Sequence, residues 1–190
     1  LMQLLNLMKD GEPVRMSKRT GNAVTLVDLL DEVPIDAARF FFNMREPGST
    51  IDFDLGLAVK EDSQNPVYYC QYANARICSI LRKMKEEGIE PRDCTEEELM
   101  LLNAPEEREL IRHLSALTDE IIPAGMDEAP ARITSYAVTL ATLFHKFYNA
   151  CRVGGDDAKL RAARLYLCCR VKDVMGIILT EFKITVPESM

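Results

Sequence analysis

The chain has 190 residues, nearly half of them apolar, enough for one domain of moderate size with a substantial core plus a smaller piece. Its net charge of −7 excludes histone-like, purely electrostatic binding to nucleic acid. A local basic strip, or recognition by base stacking, needs few charges and stays open.

No apolar run reaches membrane-spanning length, and the first residues lack the basic start and small-residue cleavage site of a signal peptide. The chain opens on Leu1 and is expected to begin inside a longer protein. Six cysteines form no CxxC pair, and His113 and His145 are far apart in sequence, so no metal site is expected. Most of these thiols lie in apolar helical stretches, where they read as small buried hydrophobes in a reducing cytosol.

In chain order, Leu1–Met8 is a short apolar strand and Lys9–Glu12 a turn. A polar loop follows, Arg15-Met16-Ser17-Lys18-Arg19-Thr20-Gly21-Asn22. Thr25 with Asp28 marks a helix start for Leu26–Leu30, and Pro34 opens a second helix through Phe42. After Gly48-Ser49-Thr50 the pattern is almost purely helical. Helices are predicted over Leu55–Ser63 and from Pro66 to about Glu87, where Gly88 and Pro91 stop the second. A further one runs from the Thr95–Glu98 capping box to Leu102, and another from Pro105 to about Ile122. Pro123, Gly125 and Pro130 punctuate a turn before helices over Arg132–Val153 and Ala158–Leu179 and an extended tail. The acidic run Glu96–Glu109 reads as a solvated helix face.

A lysine on a loop between strand and helix is a common way to meet a phosphate. Met16-Ser17-Lys18, with Arg15 before it and Thr20-Gly21 after, resembles the KMSKS signature of class I aminoacyl-tRNA synthetases. By itself the tetrapeptide also fits a solvated basic turn. The longer set, Asp10-Gly11-Glu12-Pro13, then Arg19–Leu26, Asp36-Ala37-Ala38-Arg39-Phe40 and Asp52-Phe53-Asp54-Leu55, is similar to arginyl-tRNA synthetases in particular. The resemblance makes Lys18 the catalytic lysine and Arg15, Met16, Ser17 and Lys18 the loop that meets ATP. The final serine of the signature is replaced by Arg19.

In the helix from Pro66, the residues Cys70, Ala73, Ile77, Ile80, Leu81 and Met84 form a core stripe. Tyr69, Tyr72 and Arg76 fall on an adjoining one. From spacing alone this strip is either a platform for unstacked bases or a set of boundary tyrosines with their hydroxyls in water. The segment resembles the opening helix of the family's anticodon-binding (DALR) domain, with Asn74 where that pattern usually has histidine. Leu143–Val153 resembles the family as well. It brings Tyr148 and Asn149 near the anticodon, with Lys146 and Arg152 as phosphate contacts. On spacing alone it is an ordinary amphipathic helix, with His145 a half-buried surface histidine. Arg161 and Arg164 read either as part of an RNA-facing patch or as solubilising charges. Met190 resembles the family's terminal methionine, which lies close to the anticodon loop.

The expected fold is therefore mainly α. A helical anticodon-binding bundle spans residues 51–190, and residues 1–50 are a short α/β remnant of a Rossmann-type catalytic domain. The resemblance implies an arginine-tRNA ligase that uses ATP and Mg²⁺ when complete, acts in the cytoplasm as a monomer, and binds arginine tRNA, arginine and ATP but neither DNA nor membrane. This piece alone is expected to be inactive and to hold no cofactor. Two alternatives differ in class: another class I synthetase such as cysteinyl-tRNA synthetase, or a non-catalytic helical RNA-binding module.

Overall fold

A computed structural model of the chain describes residues 5–9, 11–14, 25–46 and 48–190. Among these, three strands and nine helices follow one another: β1 (Leu5–Lys9), β2 (Glu12–Pro13), α1 (Leu26–Glu32), α2 (Ile35–Asn43), β3 (Ile51–Asp54), α3 (Leu55–Ala58), α4 (Pro66–Glu86), α5 (Glu96–Leu99), α6 (Pro105–Ser115), α7 (Leu117–Met126), α8 (Ala131–Ala150) and α9 (Ala158–Glu181). The fold is mainly α, with one small sheet.

The sheet order is β2-β1-β3, β1 pairing antiparallel with β2 and parallel with β3. Residues 51–54, ahead of the helix predicted from Leu55, are a strand that the almost purely helical pattern after Thr50 does not indicate. Leu7 lies opposite Phe53, and both are buried. Two capping boxes form as predicted, at Thr25/Asp28 and Thr95/Glu98, and Pro66 and Pro105 open their helices.

Boundaries shift elsewhere. α3 is a single turn, ended where Asn65 ties down the following loop. The stretch predicted as one helix to about Ile122 bends at Ala116 and gives α6 and α7. Pro123 sits inside α7 instead of in a turn. At the seventh residue of the helix it removes one i→i−4 backbone hydrogen bond, and α7 forms without it. α8 ends at Ala150, short of Val153, because Cys151 turns to extended backbone.

α4, α8 and α9 meet in the core through Ile77, Leu140, Phe144, Phe147, Leu165 and Val171. Buried thiols take part: Cys70, Cys78, Cys151 and Cys168 lie inside, and burial pushes the Cys70 thiol up to about 12. The acidic run is not uniformly solvated. Glu98 is buried and paired with Arg92, and Glu107 is 1% exposed, accepting from Arg164 Nε at 2.7 Å and from the Ala104 backbone at 2.8 Å. Arg164 also donates to the Arg152 carbonyl, and Arg161 to that of Gly155. Both arginines thus hold the α8–α9 turn to α9.

After α9, Lys183 adopts φ +57° and its neighbour Ile184 bonds back to the Leu179 carbonyl, closing a Schellman turn. The tail then lies on α2 and α4. Thr185 N donates to Asp36, Gln71 Nε2 donates to the Thr185 carbonyl, and Asn74 Nδ2 donates to the Pro187 carbonyl at 2.8 Å. Arg39 donates to the Lys183 carbonyl.

Candidate nucleic-acid interface

Asn65 is buried just before α4 and donates to the Ala58 and Lys60 carbonyls at 3.1 and 2.9 Å. That fixes the loop of residues 59–65 against the helix start. The core stripe of Cys70, Ala73 and Ile77 then sets the rotation of α4, so Tyr68, Tyr69, Tyr72 and Arg76 emerge on one flank. α8 is oriented by buried Leu140, Phe144 and Phe147, which leaves His145, Tyr148 and Asn149 facing the same space.

The result is a cleft of about 520 Å³, closed at one end by Glu61, Asp62 and Ser63. Five residues proposed from sequence, Tyr69, Tyr72, Arg76, Tyr148 and Asn149, line it together. Contacts advance in the same direction along both helices: Tyr69 and Tyr72 meet His145, and further along Arg76 meets Tyr148. α4 and α8 are therefore parallel here.

Flat surfaces dominate the walls. The Tyr68 and Tyr72 rings are parallel within 4° with centres 6.5 Å apart, and Tyr72 is 39% exposed. His145 lies 4.8 Å from the Tyr69 ring and 5.6 Å from that of Tyr72. Arg76 Nη2 donates to the Tyr148 hydroxyl at 2.8 Å, and its guanidinium carbon stands 4.6 Å from the centre of that ring. Burial first, then the nearby Arg76 charge, hold the His145 pKa below the usual 6.5, so its ring is neutral at pH 7. Its Nε2 is buried without a partner among the described residues.

Arg152 lines an adjoining hollow of about 540 Å³, shared with Lys83, Tyr148 and Asn149. Met190 sits beyond Tyr68, in a small recess with Glu61 and Gln71. Asn74 points away from the cleft and anchors the tail. Arg15, Met16, Ser17 and Lys18 lie outside the described residues. The sequence pattern does not single out Tyr68, Lys83 or the Glu61–Ser63 loop, whereas His145, expected to be a half-buried surface histidine, is half-buried and faces the cleft. The i,i+4 spacing of Tyr68 and Tyr72 was a readable signal for the first.

Neutral aromatic faces beside one guanidinium suit a flat, unstacked base better than a phosphate run. Two larger hollows differ: one between α5, α6 and α9 is lined mostly by apolar side chains, and in the one beside Arg132 the two rings, His113 and Tyr136, are stacked on each other with centres 4.1 Å apart. Among the described residues no group of His, Cys, Asp and Glu is placed to hold a metal, and no helix is long and apolar enough to cross a membrane.

Residues 70–190 match the family model of the DALR anticodon binding domain. Over its full length the chain is 50% identical to an arginine–tRNA ligase of Caldanaerobacter subterraneus subsp. tengcongensis and 48% identical to one of Acetivibrio thermocellus. It spans about a third (34%) of the length of each of these curated relatives. The solved structure of Thermus thermophilus arginyl-tRNA synthetase shares the fold, with a TM-score of 0.77 at 24% identity, over 97% of this chain and 34% of that one.

Proposed function

Because this chain belongs to the DALR anticodon binding domain family, we propose that it is the anticodon-reading, C-terminal part of an arginine–tRNA ligase. The observation that carries the reading is the cleft in which Tyr68, Tyr69, Tyr72 and His145 stand beside the Arg76–Tyr148 pair. Bases of the anticodon loop stack on these rings while the bundle holds α4 and α8 fixed. Asn149 and Arg152 meet the loop beside the cleft, and Met190 meets it beyond Tyr68.

In the whole enzyme, arginine is activated with ATP and Mg²⁺ and then moved to the tRNA 3′ end, in the cytoplasm, by a monomer. Lys18 and its neighbours Arg15, Met16 and Ser17 serve ATP in that reading, and residues 1–50 are the end of the catalytic domain. The relatives named as arginine–tRNA ligases support this assignment.

Binding of the chain to arginine tRNA and to an unrelated tRNA across a salt series tests the proposal. Arginine tRNA is expected to bind more tightly, with a shallow salt slope. Tyr72→Ala and Tyr148→Ala should each weaken it by about 5- to 100-fold, the worth of one stacking contact. Equal affinity for both tRNAs, or variants that bind like the wild type, would overturn it.

A further inference from the structure

The turn between α8 and α9 presents one cation and buries its neighbours. Cys151 takes an extended backbone, in which successive side chains alternate in direction. Cys151 and Val153 are buried, which leaves Arg152 exposed in the hollow it shares with Lys83 of α4. Neither Arg152 nor Lys83 forms an ion pair among the described residues. In a chain of net charge −7, two such cations beside an aromatic cleft are available to an RNA phosphate.

The place of Arg152 is set through its backbone. Its carbonyl accepts from Arg164 Nη1 at 2.9 Å, while Arg164 Nε holds the buried Glu107 at 2.7 Å. Arg161 Nη1 donates to the Gly155 carbonyl at 2.9 Å. Between these bonds the turn passes close to α4: a Cβ at Gly154 would meet the end of the Met84 side chain at 3.2 Å. A buried ion pair adds little net stability over a well-packed apolar pair. What Arg164 has that an apolar residue lacks is a fork of donors, one arm for Glu107 and another for the carbonyl. The buried carboxylate fixes the guanidinium, and the guanidinium fixes the peptide that carries Arg152.

Resting on the reading above in which Arg152 meets the RNA, we propose that Arg164 is a positioning residue for RNA binding. It touches no RNA itself. Through the Arg152 carbonyl it holds the Arg152 side chain where a backbone phosphate passes beside the cleft. An arginine on a loose turn loses its freedom when the RNA binds, whereas a tied turn has lost it already on folding. Phosphate contacts set register and carry no base identity. Arg164 therefore acts on the charge-dependent part of binding and leaves stacking on Tyr72 as it is.

Binding of arginine tRNA to the full chain across a salt series, with Arg152→Gln, Arg164→Lys and the two combined, tests this. Lysine keeps the counter-charge of Glu107, so the fold stands, but a single ammonium lacks the rigid fork that serves both acceptors. Arg152→Gln should make the slope of log affinity against log salt shallower by about 0.7, one phosphate of a single strand. Arg164→Lys should do the same, and adding it to Arg152→Gln should weaken binding by less than about twofold. Glu107→Gln with Arg164→Met, which strands no charge, is a second route to the same shallower slope. An Arg164→Lys chain with the wild-type slope would overturn the proposal, as would a combined variant far weaker than Arg152→Gln, since Arg164 would then serve the fold alone. Failure of the underlying reading shows separately, as Arg152→Gln with an unchanged slope, and takes the proposal with it.

Discussion

One carboxylate oxygen of Asp36 accepts from the Gln71 side-chain amide at 3.0 Å, and the same oxygen accepts from the Thr185 backbone at 3.1 Å. A single residue of α2 therefore ties together α4 and the tail. Asp36→Ala should cost about 1–2 kcal/mol, the worth of hydrogen bonds to a charged, half-buried acceptor. Urea denaturation checks the loss. Amide exchange should show Thr185 losing protection while the centre of α4 keeps its own.

Glu107 and Arg164 make the buried ion pair between α6 and α9. Glu107→Gln leaves the largely buried Arg164 without its counter-charge and should destabilise by about 3 kcal/mol. The companion Arg164→Met should be milder in a double-mutant background, because removing both charges leaves none stranded. Urea midpoints for the two singles and the double measure the difference.

The depressed pKa of His145 gives a signed pH dependence. In the unfolded chain the ring takes up its proton near 6.5, whereas the folded chain resists it until lower pH. Its contribution to stability is therefore whole above about 6.5 and is lost as pH falls toward the folded pKa. Between those values wild-type stability should fall more steeply with acid than that of His145→Gln. An imidazole titration by NMR above 6.5 would contradict this.

Lys183 holds a left-handed backbone at the end of α9, a conformation that costs a side chain about 1 kcal/mol. Lys183→Gly should therefore raise stability by about 0.5–1 kcal/mol, seen as a higher melting temperature. Gly88, at φ +75° after α4, is the control: Gly88→Ala should lower it.

Much of the bundle is legible because its signals are local. A capping box such as Thr95/Glu98 lies within four residues, and the Cys70–Met84 stripe follows from helical period alone. β3 is not legible in that way: four residues become a strand only because β1, some 46 residues earlier, pairs with them. The tyrosine strip is visible from spacing, but its partner His145 is contributed by α8 and reads as a surface residue until the helices are placed. Asn74 likewise finds its role at Pro187, over a hundred positions away. Glu107 reads as solvated because Arg164 is three helices later.

The parallel run of α4 beside α8 has a consequence for assembly. Two parallel neighbours cannot be joined by a tight turn, so residues 87–130 must make a complete excursion through α5, α6 and α7 before α8 can lie down. The chain closes that long loop before Tyr72 meets His145 or Arg76 meets Tyr148. No early folding species holding α4 alone possesses the cleft. The two walls meet only once that excursion is closed, so the cleft depends on the longest loop of the bundle and not on either helix alone.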